Sequence, residues 1–178
     1  MHFPAGWGRL RYFDIGEHLI DDKSTTLAEI PKLGPNWKVI HDFQPTDYLT
    51  AEYLDGNVPR GLWVILDHAW ESYLLTFPPD GVQLWSFSIL GADKLAQSNQ
   101  LPPIGEWTRI EMTHEIDKEA EKYFISVSVG GREVMKREVV REEDDYPLGQ
   151  QMDVTICLGD RNYQLPGSIR GLIVLEKP

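Results

Sequence analysis

Between Trp107 and Val140 the chain alternates apolar and polar residues through two successive segments, each followed by a turn, and an antiparallel meander is what satisfies that pattern. Ile110, Met112, His114 and Ile116 fall on one side of an extended chain, and Arg109, Glu111, Thr113, Glu115 and Asp117 on the other. A period of two is what a half-buried strand requires. Tyr123, Ile125, Val127 and Val129 repeat it against Phe124, Ser126 and Ser128, and the charged run Lys118 to Lys122 reads as the hairpin loop between the two segments. Gly130-Gly131 then supplies two residues that tolerate positive φ, as a type I′ turn demands, and Arg132 to Val140 returns as a third strand.

The remaining chain carries the same signals. Arg9 to Ile20 reads as one or two short strands broken at Gly16, and Trp37 to Phe43 as a strand closed by Pro45. Leu62 to Leu66 and Ser72 to Phe77 are apolar runs of strand length, and the turn Pro78-Pro79-Asp80-Gly81 leads into Val82 to Leu90. Met152 to Leu158 and Ser168 to Leu175 are two further strands. Ser24 to Ile30 is expected to make a helical turn ended by Pro31, Gly34 and Pro35, while Ala92 to Pro103 and the acidic Glu142 to Gln151 are expected to be long loops. Many short strands with glycine and proline corners predict an all-β chain, an antiparallel β-sandwich. A length of 178 residues is enough for one substantial core, so residues 1–178 are read as a single domain.

Charge narrows the partners. Against 17 basic residues stand 28 acidic ones, a formal charge of -11 that repels phosphate backbones and anionic lipid. Nucleic acid is therefore not an expected partner, and no apolar run approaches the roughly 18 residues needed to span a bilayer as a helix. The single cysteine, Cys157, has no internal disulfide partner and lies in the apolar run Val154 to Leu158, where a buried thiol is expected. Met1 to Gly8 carries no basic and apolar signal segment, which implies a cytoplasmic chain unless it leaves by another route or a signal has been removed, in which case it is extracellular.

The order of the strand-opening segments resembles laminin-G-like and other concanavalin A-like lectin/glucanase domains. The likeness is carried by Trp37 to Pro45, Gly105-Glu106-Trp107-Thr108-Arg109-Ile110, Tyr123 to Arg132, Ile156 to Gly159 and Pro166 to Val174. It implies a jelly roll and leaves the activity open, because that fold hosts lectins, adhesion modules and glycosidases. Glu115-Ile116-Asp117-Lys118-Glu119 resembles the Glu-x-Asp-x-Glu run of retaining glucanases of this superfamily, where alternate carboxylates share one strand face. Here Lys118 replaces an apolar residue and the run reaches a hairpin tip, so a solvated charged turn is expected.

Asp55 to Arg60 with Trp70 and Glu71 resembles, in part, the galactoside-binding residues of galectins, but lacks their leading His and inserts Val58 between Asn57 and Pro59. A sugar site needs an aromatic face and planar polar groups, which nominates Asn57, Arg60, Trp63, His68, Trp70, Glu71 and Tyr73 as ligand-binding residues. Asp144, Asp145, Asp160 and Asn162, with Asp153 close by, are hard oxygen donors in the last loops and nominate a calcium site. Of the five histidines none shows zinc-type pairing; His41 and His114 are expected to be satisfied within the fold. These readings predict a non-enzymatic recognition module for a carbohydrate, a glycosylated ligand or a protein. The alternatives are a glycoside hydrolase or lyase using Glu115, Asp117 and Glu119, and a structural domain that docks another protein.

Overall fold

The computed structural model describes residues 7, 9–19, 25–48, 61–67, 72–88, 91–117, 119–120, 122–139, 151–158 and 167–177. Of residues 9–19, 25–26, 61–67, 72, 74, 87–88, 91–92, 152 and 157–158 it describes the backbone alone. These residues form twelve strands: β1 (Arg9–Leu19), β2 (Thr25–Leu33), β3 (Trp37–Pro45), β4 (Gly61–Asp67), β5 (Ser72–Thr76), β6 (Val82–Ser88), β7 (Gly91–Ser98), β8 (Thr108–Asp117), β9 (Lys122–Val129), β10 (Arg132–Val139), β11 (Met152–Leu158) and β12 (Gly167–Glu176). The first sheet has the order β1-β12-β3-β8-β9-β10 and the second β2-β11-β4-β5-β6-β7, with every pairing antiparallel.

The expected meander is β8-β9-β10. Met112 pairs with Val127, and His114 with Ile125, so the apolar sets of two strands reach the same face. Gly130 and Gly131 have φ of 61° and 80°, as the two central positions of a type I′ turn require. The expected break at Gly16 is a register irregularity between Phe13 and Glu17 inside one continuous strand.

Two expectations are corrected. Of the segment 24–30, the described residues 25–30 do not form a helical turn but enter β2, and residues 91–98 are not loop but strand β7. β2 pairs with β11 alone and β7 with β6 alone, so both are edge strands. Among the described side chains of β7 only Ala96 is buried, with Leu95 and Ser98 partly so, and that one-sided support accounts for its polar sequence.

The core lies between the sheets. Val39, Phe43, Ile110, Met112, Ile125, Val127, Leu172 and Val174 come from the first sheet, and Ile30, Tyr73, Leu75, Val82, Leu84 and Ile156 from the second. Aromatic contacts tie the two together. Phe43 packs on Phe77 at 5.4 Å between ring centroids, and His114 stacks on Trp37 at 5.3 Å while touching Tyr73 at 6.0 Å and Tyr123 at 5.3 Å. The turn at Gly34 to Asn36 carries the chain from β2 to β3 and is held from several sides. Gly34 N donates to Glu176 Oε1 at 2.9 Å, Ile116 N donates to Asn36 Oδ1 at 2.8 Å, and His114 Nδ1 lies 2.6 Å from Pro35 O. A small second apolar cluster, Ile40, Ile173 and Leu175 with Trp7 packed on it, sits on the outer side of the first sheet.

Candidate functional site

Alternation along β6 sends Val82 and Leu84 into the core, both fully buried, and therefore directs Gln83 and Trp85 to the outer side of the second sheet. Register brings them neighbours on that side. Thr76 of β5 lies opposite Gln83 and Leu74 opposite Trp85, while Gln97 and Lys94 of β7 lie opposite the same two residues from the other flank. A bulge between Leu84 and Trp85 keeps Lys94 in line with Trp85.

Although they point away from the core, Thr76 is fully buried and Gln83 is 3 % exposed; Trp85 is half-buried. Gln83 Oε1 and Trp85 Nε1 are both shielded from solvent, and neither has a hydrogen-bond partner among the described residues. Leaving a buried amide oxygen and an indole N–H unsatisfied costs about 1–3 kcal/mol each. An acceptor and a donor thus stand two residues apart on one strand face, about 6.7 Å along the chain. On the rim, Lys94 Nζ donates to Gln97 Oε1 at 3.0 Å and Gln97 Nε2 donates to Asp80 Oδ2 at 3.0 Å, a chain of exposed polar groups along the edge strand. An aromatic flanked by amide, carboxylate and ammonium groups is suited to hydroxyl-rich ligands, whose oxygens both donate and accept.

The nominated residues distribute differently from expectation. Tyr73 is 2 % exposed and packs inside the sandwich against His114, so its ring serves the contact between sheets. Trp63 pairs across β4 with Leu75 and Leu158. Asn57, Arg60, His68, Trp70 and Glu71, like Asp144, Asp145, Asp160 and Asn162, lie outside the described residues. Among the described residues no group of three His, Cys, Asp or Glu side chains could hold a metal ion. His41 and His114 are each 1 % exposed, inside the fold as expected, and burial pushes the His41 imidazole down to about 3.

The carboxylates of residues 115–119 are placed on a hairpin end. Glu115 and Asp117 share the outer face of β8, where Glu115 pairs with Lys177 at 3.5 Å. Asp117 Oδ1 accepts from the backbone N–H of Glu119 at 3.0 Å and of Ala120 at 3.1 Å, a side-chain cap on the turn. Glu119 itself is exposed in that turn.

Neither Gln83 nor Trp85 was nominated from the sequence. The signal was present: Val82-Gln83-Leu84-Trp85-Ser86-Phe87 places an amide and two aromatics on one side of a strand. It was obscured because a tryptophan between apolar neighbours reads as core.

No family model and no curated protein sequence matches the chain. Solved structures do. Laminin α1 chain domains LG4-5 from mouse align with 99% of this chain and 46% of their own at a TM-score of 0.57 and 12% identity. Domain 4 of AbnA, a GH43 extracellular arabinanase from Geobacillus stearothermophilus solved in complex with arabinotriose, covers 96% and 76% at 0.54 and 16%. The Caenorhabditis elegans galectin LEC-6 covers 89% and 94% at 0.50 and 13%. Twelve antiparallel strands in two facing sheets, the aromatic bridge between them and these alignments lead to one assignment: the chain has the concanavalin A-like, laminin-G-like jelly-roll fold.

Proposed function

We propose that this protein is a non-catalytic recognition module that binds carbohydrate on the outer face of β5, β6 and β7. The observation that carries the reading is the pair of buried, unpartnered polar atoms, Trp85 Nε1 and Gln83 Oε1, side by side on a sheet face turned away from the core. A sugar hydroxyl has the complementary chemistry for both, accepting from the indole N–H and donating to the amide oxygen once it reaches them, and the half-buried indole adds aromatic surface. Lys94, Gln97 and Asp80 extend the polar rim. Support comes from the neighbours in fold, one of which holds arabinotriose and another of which is a galectin. Asn57, Arg60, His68, Trp70 and Glu71 are proposed to complete the recognition surface, whereas Trp63 takes the register position opposite the core residue Leu75; Asp144, Asp145, Asp160 and Asn162 are proposed to supply calcium ligands.

A glycan array run with and without calcium tests the reading directly. Binding of a defined glycan series is expected, reduced at least tenfold by Trp85→Phe and by Gln83→Ala, roughly the loss of one well-placed hydrogen bond in a dry site. Absence of binding to every glycan, in both conditions, sinks the proposal and moves the weight to a protein ligand. Loss of binding on calcium removal, restored by Ca²⁺ and abolished in Asp160→Ala, supports the metal site.

A further inference from the structure

The outer face of the first sheet carries a separate arrangement, on the opposite side of the molecule from Trp85. Asp42 of β3 is the register partner of Arg170 on β12 and of Arg109 on β8, so a carboxylate stands between two guanidinium groups across three neighbouring central strands. Arg109 Nε lies 3.2 Å from Asp42 Oδ1, and Arg170 Nε lies 3.7 Å from Asp42 Oδ2. Both arginines meet the shared carboxylate through Nε. Arg170 also lies over the Trp107 ring at 4.1 Å from its centroid, and among the described residues neither guanidinium has a further partner.

Backbone geometry builds this alignment. Gly171 has φ of 62°, and the register of β12 shifts between Arg170 and Ile173. That irregularity puts Arg170 opposite Asp42 while Ile173 still faces Ile40. At the other side, Gly105 N donates to Pro45 O at 2.8 Å and Gln44 Nε2 donates to Gly105 O at 2.7 Å, which ties the segment before Trp107 to the end of β3.

Two guanidinium charges and one carboxylate leave the triad at +1 in a chain whose total is -11. Each arginine offers five N–H donors; Arg109 spends Nε–H in a hydrogen bond to Asp42, while Arg170 approaches the same carboxylate as an ion pair at 3.7 Å, so the Nη ends of both remain as forks. Stacking on Trp107 holds Arg170 and the hydrogen bond to Asp42 holds Arg109 before any ligand arrives, which lowers the ordering cost of binding. We propose that Arg109 and Arg170, oriented by Asp42 and Trp107, bind the carboxylate of an acidic sugar. The planar fork matches a planar carboxylate bidentately, better than a tetrahedral oxyanion. Glu111 stands on the same face, paired with Lys38 at 3.1 Å, and Glu17 is the strand partner of Arg170. The carboxylates of Asp42 and Glu111 on this face disfavour a polyanion and leave room for a single negative charge.

The test is an NMR titration of the full chain, labelled with ¹⁵N, using sodium glucuronate, methyl glucoside and sodium sulfate as probes. Glucuronate is expected to shift the Trp107 indole and the Arg109 and Arg170 Nε–H signals saturably, with methyl glucoside silent and sulfate weaker. Arg109→Lys and Arg170→Lys keep the charge but lose the fork, and each is expected to weaken glucuronate binding about tenfold, the equivalent of one charge-assisted hydrogen bond. The Gln83→Ala/Trp85→Phe double variant is expected to titrate as the parent. The assignment is overturned if the two lysine variants bind as the parent while keeping the dispersion of a folded spectrum, if methyl glucoside shifts the same signals, or if sulfate binds as tightly. Loss of the glucuronate shifts in the Gln83→Ala/Trp85→Phe variant would place the ligand on the other sheet and equally overturn it.

Discussion

The proposed carbohydrate site sets function against fold within single side chains, and Gln83 is the residue where this is most directly measurable. Its amide oxygen is buried on the outer side of the second sheet without a partner among the described residues. Gln83→Leu removes the unsatisfied atom while keeping volume. Chemical denaturation should show stability unchanged or raised by up to about 1 kcal/mol, with glycan affinity lowered. A clear loss of stability would mean the amide is structural. His41 gives a second test. Its imidazole is held near 3 in the folded chain against an ordinary 6.5, the cause being burial. The neutral ring is compatible with the fold, so this contribution is complete above pH 6.5. As pH falls from 6.5 towards 3, the unfolded chain takes up a proton that the folded chain refuses, and stability declines by at most about 1.4 kcal/mol per pH unit. Urea midpoints measured between pH 7 and 5, above the range in which carboxylates titrate, should fall with pH in the parent and flatten in His41→Leu.

Whole strands differ in how plainly the sequence announces them. β8 and β9 are paired to neighbours on both sides and packed on one face, so every second residue is apolar and the pattern can be read unaided. β7 has a neighbour on one side only and presents Asp93, Lys94 and Gln97 to solvent, so alternation never develops. β2 is broken by Pro31 and by Lys32, whose φ of 53° is unusual for its type, and its Leu27-Ala28-Glu29 centre favours a helix until β11 pairs with it. The outer faces of both sheets were hard to read for a related reason. Trp85, Gln83, Asp42 and Arg170 gain meaning from cross-strand partners distant in sequence, which periodicity does not reveal. The hairpin joining β8 to β9 allows a clean comparison of neighbouring acids. Asp117→Ala removes the acceptor for two backbone N–H groups and should cost about 1 kcal/mol. Glu119→Gln should stay within about 0.5 kcal/mol in a thermal melt and leave ligand binding unchanged.

At the scale of the molecule, the main apolar cluster among the described residues is shared by the two sheets, so each loses most of its buried apolar contacts once the other separates. Leu84, fully buried on β6, tests this. Leu84→Ala should cost about 2–5 kcal/mol. Native-state hydrogen exchange should show the same loss at Val127 in the facing sheet as at Leu75 beside the substitution. Unequal losses would reveal sheets that open independently.

Arg137 bears on how such a molecule behaves in a crowded solution. It projects from β10, the last strand of the first sheet, and its Nε donates to Leu95 O on β7, the last strand of the second, at 3.1 Å. A bare carbonyl on a terminal strand is a landing point for the backbone of another chain, the first step toward filaments. By occupying that oxygen from across the gap, one guanidinium helps close a seam along which copies of the protein would otherwise stick.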